Sequence, residues 1–138
     1  MRARRITLLL AVAVAATVAL AGCGSVGIAN DRYAGTPPGV NASTDSDPIP
    51  TVVWWDDEAS LAVITYGSSS CPPTVTSIEV AADGTVDIEL DPATEGPCTL
   101  DIAPTTHVIA LPDEATARPL TVRLNYTGEP WQFTITIP

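Results

Sequence analysis

Leu120-Thr121-Val122-Arg123-Leu124-Asn125-Tyr126 and Trp131-Gln132-Phe133-Thr134-Ile135-Thr136-Ile137 are joined by Thr127-Gly128-Glu129-Pro130. Successive side chains of a strand point to opposite faces, so this alternation puts Leu120, Val122, Leu124 and Tyr126 on one face and Thr121, Arg123 and Asn125 on the other. The second run repeats the pattern, with Trp131, Phe133, Ile135 and Ile137 inward against Gln132, Thr134 and Thr136. A period of two with a Gly-containing turn predicts an antiparallel hairpin that buries one face.

Upstream, the same grammar recurs. Val52 to Trp55 and Leu61 to Tyr66 are short runs of β-branched and aromatic residues, and the second is apolar on both faces, as expected of a central strand. Thr74 to Ala81 and Thr85 to Leu90 meet at Asp83-Gly84, the strongest hairpin signal in the chain. Cys98, Leu100 and Ile102 alternate with Thr99 and Asp101, which predicts a strand with Cys98 facing inward, and Thr105 to Leu111 predicts another. Pro112 to Pro119 reads as a loop, or at most one helical turn. Seven to eight strands over residues 51–138, with no helical periodicity, predict an all-β fold: a small antiparallel two-sheet sandwich, immunoglobulin-like, carrying one disulfide.

The first fifty of the 138 residues read differently. Arg2, Arg4 and Arg5 precede an uncharged apolar run from Ile6 that closes on Leu20-Ala21-Gly22-Cys23. A basic start and an apolar run a little short of the about 20 residues of a membrane span mark a secretory signal, the competing reading being an uncleaved N-terminal anchor helix. The four closing residues resemble a bacterial lipobox, and the resemblance covers residues 1–23 only. It implies that residues 1–22 are a lipoprotein signal peptide, that Cys23 receives a diacylglyceryl group on sulfur, and that acylation at its freed amine follows. Two or three acyl chains, at about 0.8 kcal/mol per buried CH₂, hold a protein at a membrane where a single chain would not. Localisation would then be the extracytoplasmic face of the cell membrane. Residues 23–50, rich in Gly, Pro, Ser, Thr, Asn and Asp, read as the lipidated Cys and a disordered tether, which leaves 51–138 as the folded domain.

The three cysteines divide accordingly. With Cys23 consumed by lipid, Cys71 and Cys98 are free to pair in an oxidising compartment, closing a loop worth about 3.5 kcal/mol in chain entropy. Removal of residues 1–22 leaves three Arg against sixteen Asp and Glu, a net charge near −13, and the chain contains no Lys. Such a surface disfavours nucleic acid and anionic headgroups and suits a basic protein or cell-wall partner, or simply solubility. A monomer is expected.

Several residues invite chemistry, and each has a plainer reading. Asp56-Asp57-Glu58 offers adjacent oxygen donors for calcium, yet lacks the spacing of a calcium loop, and a solvated turn is the commoner outcome for such a run. Trp54 and Trp55 are consecutive, so one faces away from the core and can anchor a partner unless the tether covers it. Ser68, Ser69 and Ser70 precede Cys71 without a Gly-x-Ser-x-Gly elbow, and His107 lies mid-strand as a structural histidine. Cys71 and Cys98 lack the ligand spacing of a zinc site. The sequons Asn41-Ala42-Ser43 and Asn125-Tyr126-Thr127 read as chance matches. No enzyme and no cofactor are expected. What remains is a lipid-anchored binding or interaction module that meets a partner through Trp54, Trp55 and the Ser68 to Pro73 loop. The alternative is an inhibitor or protective factor against an extracellular hydrolase.

Overall fold

A computed structural model of the protein describes residues 28–55, 58–93 and 96–138. The expected signal peptide, residues 1–22, and Cys23 lie outside the described residues. Eight strands follow in order: β1 (Asp31–Ala34), β2 (Thr51–Trp55), β3 (Ser60–Gly67), β4 (Thr74–Val80), β5 (Val86–Asp91), β6 (Ala103–Ala110), β7 (Leu120–Tyr126) and β8 (Gln132–Ile137). They form two four-stranded sheets, in the orders β1-β6-β3-β2 and β4-β5-β7-β8. The expected all-β sandwich with one disulfide is therefore present.

Alternation explains the core. Val52, Leu61, Val63 and Ile109 of the first sheet meet Val75, Val86, Ile88, Leu90, Leu120, Val122, Leu124 and Ile137 of the second in one buried cluster. Asp83-Gly84 turns β4 into β5 as its residue types require: Gly84 takes φ 82°, and the Asp83 carboxylate accepts the Thr85 N–H at 3.0 Å. One pairing is not antiparallel. β5 and β7 run parallel, from Val86 opposite Val122 to Leu90 opposite Tyr126, because the chain leaves for β6 in the other sheet before returning. That pair, and a staple lying in loops rather than between core strands, distinguish this sandwich from the immunoglobulin pattern.

The tether reading of residues 23–50 needs correction over its described part. β1 pairs antiparallel with β6, Asp31 opposite Val108 through Ala34 opposite Thr105. Since β1 and β2 are at opposite edges of their sheet, residues 35–50 must cross its outer face, over β6 and β3. The Gly35 carbonyl accepts the Thr106 hydroxyl at 2.7 Å, the Tyr66 hydroxyl accepts the Ser43 N–H at 2.9 Å, and Pro37 and Pro50 are buried. This strap explains why β3 is apolar on both faces: Ala62 and Ile64 point outward from the sandwich yet are fully buried. Composition judges whether a segment can fold alone, and a segment laid on a preformed apolar sheet does not have to.

Two further expectations change. Residues 96–102 form no strand, and Leu100 is fully exposed with Ile102 at 58%. The alternating pattern there has no neighbour to pair with, and the Thr99 N–H donates to the Ser70 hydroxyl at 2.9 Å instead of to a strand. Trp131, expected inward, is 58% exposed because it precedes β8 and lies past the edge of the opposing sheet.

Candidate functional site

The two ends of the sandwich are built differently. At the near end, where the chain enters through Asn30 and β1, lie the turn between β2 and β3, the loop from Leu111 to Pro119, and the C-terminus. At the far end lie the β3–β4 and β5–β6 crossovers, the β7–β8 turn, and the last residues of the strap.

Trp54 and Trp55 belong to the near end, and neither indole is a free anchor. Trp54 packs on the core, its Nε1–H donates to the Pro138 carbonyl at 2.7 Å, and the Arg118 guanidinium lies 4.4 Å from its ring centroid. Trp55 reaches across the outer face of its sheet to Tyr33, ring centroids 6.3 Å apart, beside strap residues Pro37 to Val40. Glu58 takes φ 61° in the adjoining turn, with its carboxylate 3.7 Å from Arg118 Nε. Asp56 and Asp57, the other members of the suggested calcium set, lie outside the described residues. Among the described residues no three His, Cys, Asp or Glu side chains are grouped to hold a metal.

Ser68, Ser69 and Ser70 stand at the other end of β3, so the structure does not bring them to the tryptophans. They form a loop tied to the β5–β6 crossover. Cys71 is bonded to Cys98, joining the two far-end connections that pass between the sheets, β3–β4 and β5–β6. Around it, the Thr99 hydroxyl lies 2.8 Å from Ser68 Oγ and 3.2 Å from Ser69 Oγ and also donates to Asp101, while the Ser69 N–H donates to Asp101 at 3.1 Å. Hydrogen bonds first from the Ser69 side chain and then from Thr99 pull the Asp101 carboxyl down to about 2. The chain's one histidine does not face these hydroxyls. His107 is buried with Nε2 at 3.1 Å from Thr65 Oγ1, and Nδ1 has no partner. Burial, and secondarily the charge of Arg32, lower its pKa to about 4, so the ring is neutral at physiological pH. The serine cluster thus ties its loop to Asp101 through hydrogen bonds, and His107 is not placed to serve it as a base.

The far end also opens into a cleft of about 320 Å³, lined by Tyr66 of the first sheet, by Tyr126, Trp131 and Phe133 from the second sheet and its β7–β8 turn, and by Asp47, Pro48, Ile49 and Pro50 of the strap. Tyr126 and Phe133 meet edge to face at 6.2 Å, and burial pushes the Tyr126 phenol up to about 12. The Trp131 Nε1–H donates to the Glu129 carboxylate at 3.1 Å, which fixes the indole while leaving its face open. None of these residues was singled out by motif. The available signal was that the inward-facing alternation continues through Tyr126 and resumes at Trp131, on either side of a turn, where no opposing sheet remains to cover it.

No family model, curated protein or solved structure matches this chain. Its function has to be read from the geometry of the far end.

Proposed function

We propose that the protein is a membrane-anchored, extracytoplasmic lipoprotein that displays its sandwich as a non-catalytic binding module, with the far end as the face that meets the partner. One observation carries this reading. Of the five exposed large apolar side chains among the described residues, Ile49, Leu100, Ile102 and Trp131 are at the far end, and only Ile28 lies near β1. Exposed apolar side chains scattered singly mean little, whereas their collection on one end, beside an aromatic cleft, marks an interaction surface.

Anchoring and display fit together. Seven residues, Gly24 to Asn30, separate Cys23 from β1, a span of at most about 25 Å when taut. Lipid on Cys23 then holds the near end toward the membrane and leaves the far end facing away from it. A second reading, inhibition of an extracellular hydrolase, is favoured by Leu100 alone: a fully exposed apolar side chain on a disulfide-stapled, hydrogen-bonded loop is a rigid plug for a substrate cleft.

Two measurements test the proposal. Cys23→Ser should move the protein out of the membrane fraction or leave it unprocessed; a mature-sized variant still partitioning with detergent would end the lipoprotein reading. Capture from cell wall and culture supernatant, compared between the native chain and Leu100→Ser, should return a partner that the variant loses. A stoichiometric hydrolase inhibited by the native chain selects the second reading.

A further inference from the structure

We propose that the far-end cleft is a receptor for a cationic side chain, an arginine or lysine presented by a basic polypeptide partner. This rests on the binding-module reading and adds the chemistry of the ligand.

The cleft's lining offers aromatic faces, one carboxylate and no cation. Tyr66, Tyr126, Trp131 and Phe133 line it with Asp47, and Glu129 holds the Trp131 indole. The electron-rich face of an aromatic ring attracts a guanidinium or ammonium group, most strongly for Trp and when water is partly excluded. Pro48, Ile49 and Pro50 also line the cleft, which suits the methylene stem of such a side chain while its charged head meets the Asp47 carboxylate. A volume of about 320 Å³ accommodates a side chain and not a folded element.

Charge points the same way. The chain has no Lys, and the arginines downstream of the signal are elsewhere: Arg32 on β1, Arg118 beside Glu58 and Trp54, and Arg123 against Asp87 at 2.9 Å. With sixteen acidic residues against those three, the surface draws a basic partner by long-range attraction and repels an acidic one. The molecule itself shows the same pairing of cation and indole at its other end, where Arg118 packs on Trp54.

The test uses the full chain in detergent with three probes: N-acetyl-arginine amide, N-acetyl-leucine amide and chitotriose. The Trp131 indole N–H resonance, assigned by its loss in Trp131→Phe, reports occupancy. Arginine amide should shift this resonance in a saturable way by about 50 mM, the range of a single side-chain contact. Asp47→Asn, at an exposed position, should weaken that binding about fivefold, as should high salt. The inference is overturned if leucine amide or chitotriose shifts the resonance as strongly, if Asp47→Asn leaves arginine binding unchanged, or if nothing shifts it. Should Leu100→Ser abolish partner capture while arginine amide leaves Trp131 unmoved, the binding-module reading survives and the cationic ligand does not.

Discussion

The near and far ends of this sandwich use the same kinds of residue to opposite effect. At the near end the exposed-prone groups find partners within the chain: Trp54 with the Pro138 carbonyl and Arg118, Arg118 with Glu58, Trp55 with Tyr33. At the far end polar groups are bonded just as thoroughly, in the Ser68–Thr99–Asp101 network, but the large apolar ones are left open. The difference teaches that rigidity and exposure are separable. A loop whose backbone is fixed by a disulfide and hydrogen bonds can present Leu100 to solvent without the entropy cost of ordering it when a partner arrives.

The largest way to break this contrast is to remove the covalent tie at the far end. Cys71→Ser with Cys98→Ser should lower stability by about 3.5 kcal/mol, measured by denaturant unfolding, and should speed hydrogen exchange at Ser69 and Thr99 more than around the near-end turn. A loss below about 1 kcal/mol would mean that the hydrogen-bond network alone holds the loop.

Acid should act between the two ends, on the core. His107 has a folded pKa of about 4 against an ordinary value of 6.5, so the unfolded chain takes up this proton first as pH falls. Stability from this group is complete above pH 6.5, declines between 6.5 and 4, and levels off below, for a total of about 3 kcal/mol. In His107→Val that slope should vanish. A slope that persists unchanged between pH 6.5 and 4 would mean that His107 is not the acid-sensitive group, and Asp101 would not account for it either, since its contribution is lost only on further descent, from 3.8 toward about 2.

Trp54→Phe sharpens the comparison at the near end: it keeps most of the ring but loses the bond to Pro138, at a cost of about 1 kcal/mol. Trp131→Ser at the far end is the smallest perturbation of stability, within about 0.5 kcal/mol, because the side chain is 58% exposed. If Trp131→Ser destabilised more than Trp54→Phe, the far-end indole would be a structural element and not a presented one.

Much of this architecture is legible in the chain. Wherever a strand has one wet face, alternation locates it, as in β7 with Leu120, Val122 and Leu124 fully buried, and Asp83-Gly84 marks its turn without ambiguity. The pairing of Cys71 with Cys98 is what the thiol count predicts once Cys23 is set aside by the lipobox resemblance, and the structure has it. Legibility ends where tertiary context decides. β1 has four residues and none of the branched aliphatic side chains that mark a strand in sequence, and it is a strand because β6 has a free edge beside it. The strap folds because Ile64 and Ala62 need cover. Residues 98–102 alternate like a strand but have no partner, and Trp131 alternates correctly while lying beyond the sheet that would bury it. The candidate site suffered most, since a cleft at the end of a sandwich gathers Tyr66, Tyr126, Trp131 and Asp47 from distant parts of the chain and has no linear signature.

The account stands on the far end being the face that binds, and the most direct test compares the two ends against one captured partner. Partner retention should be measured for Leu100→Ser and Trp131→Ser at the far end and for Trp54→Phe at the near end, with folding verified for each by near-ultraviolet circular dichroism. The prediction is loss of binding by about tenfold or more in each far-end variant and retention in the near-end one, as expected when a few apolar and aromatic anchors dominate an interface. Retention in both far-end variants together with loss in Trp54→Phe would move the interface to the near end and contradict the account.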